Sequence, residues 1–379
     1  MPALTVATES QSLAAEATTI VRKFAHLRDQ ALLLALVEYA PNEKAKANVA
    51  HKIIQCGDSY KSEGDSRCLS QVADFFWRNV ILPGSVSAAL TAAPNSLVAH
   101  CPVRVTGGKT PEPRSRLSQS GLSSAGDVRS PAETEAINDL KTVIETAAAR
   151  DNHRCVISGK LDPESIASGM EPVWDHGTRL LVLPPTRTLL THDLSPEALS
   201  IPGNGLEVTR VAHIIPFSLR DSSRATSGHL PSIWSALECF GGINLGALMH
   251  GGINSLDNVI TLSATVHRYF TELQVALEPI PDSPNTYAVR TWGKVAPRLG
   301  LPKTVKLLST SPDAPLPNPA YLALHCAICR VLWASARGEE LKDVLDDLEE
   351  VAMLASDGSS ANLINIAIYR SLAFSRVEA

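Results

Sequence analysis

Three residues in the middle of the chain have the types and surroundings for hydrolytic chemistry: His213, Asn258 and His267. His213 lies in the apolar run Val211-Ala212-His213-Ile214-Ile215-Pro216. Asn258 opens Val259-Ile260-Thr261-Leu262, and His267 follows in Ser263-Ala264-Thr265-Val266-His267-Arg268-Tyr269-Phe270. Cutting a phosphodiester requires a water to lose a proton as it attacks phosphorus. It also requires the charge developing on the phosphoryl and leaving oxygens to be neutralised. Imidazole titrates near neutral pH and suits the first task, and a divalent cation suits the second. A carboxamide both donates and accepts, so Asn258 can bridge two loops and fix their geometry.

These groups can meet only if particular elements carry them. His213 lies at the end of a buried-looking strand, with Pro216 just beyond to stop the ladder. Val259 to Leu262 reads as a second strand, and a helix starts near Ser263 with Val266 and Phe270 turned to the core. If the two strands pair and the helix packs across them, a strand-end imidazole, a loop-fixing amide and a helix-borne imidazole converge.

Ala212-His213-Ile214, Asn258 and His267-Arg268-Tyr269-Phe270 together resemble the motif of HNH endonucleases, the ββα-metal (His-Me) finger. The upstream Cys155-Val156-Ile157-Ser158-Gly159, the downstream Leu277-Glu278-Pro279 and the His325-Cys326 helix extend the likeness to the HNH domains found in many fungal proteins. It covers roughly residues 135–335. The resemblance implies that His213, Asn258 and His267 form the catalytic set. His213 is the implied general base, and Asn258 the holder of the loop that bears it. His267 is the implied ligand of a divalent cation, Mg²⁺ or Mn²⁺, although Zn²⁺ also binds imidazole well. The implied activity is phosphodiester hydrolysis, and the implied partner is nucleic acid, DNA ahead of RNA.

The chain departs from the fuller pattern at one informative place. Many members carry Asp or His immediately before the general base as a second metal ligand, and here that residue is Ala212. Asp257 and His250 are candidates to help, though neither sits where the motif places a ligand. Cys155 has no Cys-x-x-Cys partner pair, so a structural zinc is not expected. Two function classes therefore stay open: a metal-dependent nuclease, and a catalytically silent HNH-derived module that binds protein or nucleic acid.

The remaining sequence frames this centre as an α+β protein. Residues 1–83 read as a helical N-terminal region, with an amphipathic segment through Val21, Phe24, Leu27, Ala31, Leu34 and Ala35. A second helix from Ala45 to Cys56 is stopped by Gly57-Asp58, and a third carries Val72, Phe75, Phe76 and Trp77. Residues 84–130 are rich in Ser, Pro, Gly and Thr and read as a flexible linker. Residues 131–310 form the HNH-like domain, opening on a capping box at Ser130-Pro131-Ala132-Glu133. That domain carries an insertion at about 160–206 with one strand at 178–183. Strands are expected at 275–278 and 286–292. Residues 311–379 supply C-terminal helices, at 321–337, 339–354 and 361–374, packed on that domain. Cys326 and Cys329 lie on an apolar helical face and read as core. His176 and His192 have no partners to make a metal site. The acidic run from Asp343 to Glu350 reads as a solvated helix face.

Bulk properties narrow the classes further. In 379 residues, 44% are hydrophobic, enough for a sizeable core. The net charge of −5 counts against extensive wrapping by nucleic acid but leaves room for a local basic groove. Seven cysteines, an odd number at wide spacing, do not look like a disulfide framework, so a reducing compartment is expected. The N-terminus lacks a secretory pattern, and no run of about 18 apolar residues offers a membrane span. The expected location is intracellular, in cytoplasm or nucleus.

Overall fold

The structure is a computed structural model and describes residues 2–63, 67–83, 131–167, 173–175, 180–182, 205–216, 229–249, 252–309, 313–338 and 341. Four helices open the chain: α1 (Pro2–Phe24), α2 (Leu27–Glu38), α3 (Glu43–Glu63) and α4 (Arg67–Phe76). A π-helical turn, Trp77–Ile81, extends α4. The amphipathic pattern predicted across Val21 to Ala35 is divided between α1 and α2. His26 adopts an extended backbone (φ −62°, ψ 143°) and its ring accepts a hydrogen bond from the Arg28 amide. Leu27, one of the predicted apolar positions, is 82% exposed as a result. The predicted stop at Gly57 is absent, and α3 continues to Glu63. Gly57 is a close-approach position instead: a Cβ there would lie 2.7 Å from Ile20 Cδ1 of α1. Cys56 and Cys68 are joined by a disulfide that ties α3 to α4, a bond that the reading of the cysteines as no disulfide framework did not include.

The second half is mixed. Helix α5 (Pro131–Arg150) is followed by short α6 (Pro163–Ala167), then β1 (Val173–Asp175) and β2 (Leu180–Val182), an antiparallel pair. The sequence predicted only the second of these strands. Next come β3 (Thr209–His213), α7 (His229–Gly241), α8 (Gly246–Met249), β4 (Val259–Ser263) and α9 (Ala264–Thr271). A meander of β5 (Val275–Pro279), β6 (Thr286–Thr291) and β7 (Thr304–Lys306) leads to α10 (Pro319–Ala334). Asn318 caps α10, its Oδ1 accepting the Ala320 N–H at 2.9 Å, with Pro319 at the first helical position. The expected linker at 84–130 and the helices at 339–354 and 361–374 lie outside the described residues, apart from Leu341 of the former helix.

One apolar cluster runs through the described halves. It joins Leu36, Val49 and Phe76 of the N-terminal helices to Phe240 of α7, Ile260 of β4, Phe270 of α9 and Leu332 of α10. Phe76 and Phe240 meet edge to face at 6.3 Å, so α7 is one element through which the N-terminal helices brace the rest, α10 being another. Asn42 reinforces this contact by donating from Nδ2 to the Gly241 carbonyl at 2.6 Å. Gly242 has φ +61°, and a Cβ there would come within 2.4 Å of Asn42 Oδ1.

Candidate active site

Strands β3 and β4 pair antiparallel with Thr209 opposite Ser263, Ala212 opposite Ile260 and His213 opposite Val259. Helix α9 begins at the residue after β4, so the three elements form a ββα unit with α7 and α8 inserted between its strands. Side chains alternate across a strand. Arg210 and Ala212 therefore share a face with Leu262 and Ile260. Ala212, Ile260 and Leu262 belong to the same buried cluster as Val266 and Phe270 of α9. His213 is the last residue of β3, where the ladder stops and the chain turns away.

Asn258 holds that turn. Its Oδ1 accepts the Ile215 N–H at 2.9 Å, and its Nδ2 donates to the carbonyls of Ile215 at 3.0 Å and Ile253 at 2.9 Å. Its own carbonyl accepts the Ile214 N–H at 2.8 Å. The side chain is fully buried and spends its amide on backbone alone. The segment after His213 is thereby fastened to the start of β4.

The His213 ring pairs through Nε2 with Asn254 Oδ1 at 3.1 Å. A carboxamide oxygen accepts, so in this contact Nε2 is the donor. Burial lowers the His213 pKa and the Asn254 hydrogen bond partly offsets this, so the ring is neutral at pH 7. His267, 6% exposed on α9, is pushed down to about 4 by burial first, then by the Arg210 charge and by electrostatic coupling to the His213 ring. The two imidazoles are thus near enough to influence one another, and both are neutral at neutral pH.

Several residues that shape this centre had no sequence signal. Arg150, at the end of α5, is fully buried and makes a two-pronged ion pair with Asp151: Nε to Oδ1 at 2.8 Å and Nη2 to Oδ2 at 2.9 Å. Its remaining protons go to the carbonyls of Leu256 (2.7 Å), Pro315 (3.0 Å) and Val259 (2.9 Å). Asp151 Oδ2 also accepts the Thr261 N–H at 3.0 Å. The pair therefore brackets Asn258 on both sides and stitches α5 to β4. Asp162 receives the Thr209 N–H at 2.9 Å and starts β3. Glu207 takes the Thr265 N–H at 2.8 Å through one oxygen and Lys160 Nζ at 2.8 Å through the other, so it caps the first turn of α9. Behind α9, His325 of α10 stacks on Phe270 at 3.9 Å and 9°, its Nε2 3.2 Å from the Phe270 carbonyl oxygen. Burial pushes His325 down to about 4.

The other sequence candidates lie elsewhere. Asp257 accepts the Ser255 hydroxyl, beside Tyr321. His250, His176 and His192 are outside the described residues. Cys155 is buried and takes the Ser158 N–H on its sulfur at 3.2 Å within a tight turn. Cys326 and Cys329 are buried in α10, and burial pushes the Cys326 thiol up to about 12. Among the described residues, no group of three or more His, Cys, Asp or Glu side chains could hold a metal ion. The donor set at the ββα unit is imidazole only, and Ala212 offers no ligand atom. His267, being neutral, can bind a cation that carries phosphate oxygens and water in its other positions.

A ββα unit with a strand-end histidine, a loop-fixing asparagine and a helix-borne histidine defines the class of ββα-metal finger domains. Residues 155–278 match the sequence model of the family described as HNH endonuclease, so the chain carries an HNH domain over that span. No curated protein and no solved structure matches the chain. No helix among the described residues is long and apolar enough to cross a membrane.

Proposed function

We propose that the chain is a metal-dependent endonuclease that hydrolyses phosphodiester bonds of DNA, with RNA as the second choice. The observation that carries this reading is the fastening by Asn258 of the turn that follows His213, with the His267 ring close enough to be coupled electrostatically to His213. His213 acts as general base. Its imidazole takes a proton from water as the water oxygen bonds to phosphorus, and the bond from phosphorus to the leaving oxygen breaks. Asn254 holds the ring by its hydrogen bond, and Asn258 is a positioning residue that holds the backbone after the base. A divalent cation held by His267 would supply the positive charge that neutralises the developing oxyanion. The HNH match over residues 155–278 supports the nuclease class, and the base geometry supports the hydrolytic role.

The alternative, a silent HNH-derived module, is favoured by Ala212 and by the imidazole-only donor set. A supercoiled-plasmid nicking assay separates the two. With Mg²⁺ or Mn²⁺ the wild-type chain converts supercoiled to open-circular DNA, and EDTA or His213→Ala abolishes it. Nicking that survives both changes defeats the nuclease reading.

A further inference from the structure

Helix α3 carries a polar face that takes no part in the centre around His213. Lys44, Asn48, His51, Lys52, Gln55 and Ser59 recur along it at helical spacing. The first five border a cavity of about 540 Å³ between α3 and α7. Lys52 and Gln55 also border a second cavity, of about 380 Å³, which reaches Ser59 and Phe75 of α4. Together the two make a groove running about 22 Å along α3, at roughly 1.5 Å per residue from Lys44 to Ser59. Its walls are pinned: Asn48 Nδ2 donates across it to the Cys239 carbonyl at 3.1 Å. Among the described residues, no carboxylate stands within ion-pair distance of Lys44 or Lys52, whereas Lys46 of the same helix pairs with Glu43. The Lys52 ammonium lies 5.3 Å from the Phe75 ring centre, which holds it where the two cavities join. Glu238 is the one carboxylate lining either cavity, and it spends Oε1 on the Leu245 N–H at 2.8 Å.

We infer that this groove, outside the ββα unit, docks the phosphodiester backbone of the nucleic acid away from the reacting bond; this rests on the nuclease reading above. Lys44 and Lys52 are separated by about 12 Å of helix rise. That spans three to four nucleotide steps of a duplex at about 3.4 Å each. Gln55 and Ser59 add neutral donors of the kind that fix a backbone without reading its sequence. An apolar occupant would desolvate both ammonium groups and leave them without a counter-charge. The groove also ends near the centre. Asn244 lines it, and Asn254, which holds the His213 ring, follows ten residues later. Ten residues span at most roughly 33–36 Å, the length of about ten base-pair steps. The N-terminal helices thereby gain a role in substrate binding.

The test uses the full chain in a His213→Ala background, where the nucleic acid stays whole. Binding of a fluorescein-labelled 20-base-pair duplex is followed by anisotropy across a salt series. Lys44→Gln should lower the slope of log affinity against log salt by about 1, and Lys44→Gln with Lys52→Gln by about 2, one for each phosphate contact. Lys46→Gln, whose cation is already paired, should leave the slope unchanged. Cys239 supplies a second readout, because its free, half-buried thiol lines the groove. Saturating duplex should slow its alkylation by N-ethylmaleimide several-fold, measured by mass spectrometry of the Cys239 peptide. Unchanged slopes with alkylation unslowed overturn the inference, and a wild-type chain that still nicks plasmid keeps the nuclease reading. Protection of Cys239 by inorganic phosphate but not by duplex also overturns it, in favour of a free phosphate ligand. Lowered slopes with protection, in a chain whose wild type does not nick, uphold the groove and refute the nuclease reading. A chain that neither nicks nor binds the duplex overturns both.

Discussion

Replacing Asn258 by alanine should expose how much of the site is held by one side chain. The substitution removes three hydrogen bonds, to the Ile215 N–H and to the carbonyls of Ile215 and Ile253. Ile215 and Ile253 are each about 1% exposed, so water reaches the orphaned groups only if the turn opens. An unsatisfied buried polar group costs about 1–3 kcal/mol. Three in one turn, partly relieved by water entering the cavity, should cost about 3–6 kcal/mol. That is a large fraction of the roughly 5–15 kcal/mol by which domains are stable, yet it leaves the variant folded at low temperature. Urea unfolding followed by tryptophan fluorescence reads the loss as a shift in midpoint at constant slope. Asn254→Ala is the companion variant. Asn254 touches the His213 ring rather than a set of buried backbone groups, so its stability should fall by less than about 1 kcal/mol. A loss under about 1 kcal/mol in Asn258→Ala would refute the reasoning. So would equal losses in the two variants.

Other expectations follow from the same geometry. Arg150→Met leaves Asp151 buried without its partner and frees three carbonyls. It should destabilise by about 3–5 kcal/mol in the same unfolding experiment, whereas an exposed pair such as Arg290–Glu278 should cost less than about 1 kcal/mol. His325 is fully enclosed and held to about 4, below its unfolded value near 6.5, so the unfolded chain binds its proton first. Its contribution is complete above pH 6.5 and is lost as pH falls toward 4, by up to about 3 kcal/mol. His325→Phe should flatten the stability-against-pH profile in that window, and an unchanged profile would contradict the burial argument. Gly242→Ala places a Cβ against Asn42 Oδ1 and the Ala45 nitrogen in a left-handed backbone, and should lower the melting temperature by several degrees in calorimetry.

Parts of this architecture were legible in the sequence because local chemistry repeats local geometry. The apolar run around His213 signals a strand with His213 at its end, and Ser263 followed by Val266 and Phe270 starts a helix with an inward face. The helical N-terminal region and the strands at 275–278 and 286–292 were visible for the same reason. What stayed hidden is carried by contacts with no local pattern. Arg150 at a helix end looks like any solvated cation until it is seen to reach Leu256, Val259 and Pro315, more than 100 residues along the chain. Asn254 ends a short helical turn with no distinguishing neighbour, and its partner His213 lies on β3, 41 residues earlier. Gly57 was misread because a glycine that permits helix packing has the same letter as one that ends a helix. The Cys56–Cys68 bridge follows from how α3 and α4 lie together, which the cysteine count could not express.

The account stands on two imidazoles acting on one phosphate, and a double-substitution cycle tests that most directly. Single-turnover nicking rates in Mn²⁺ are measured for the wild type, His213→Ala, His267→Ala and the doubly substituted chain. Groups that act as a unit are strongly non-additive, so each single substitution should remove nearly all activity and the double should be no slower than either. Two losses that simply multiply, or a rate that either single variant retains, would contradict the claim that His213 and His267 share one reaction centre.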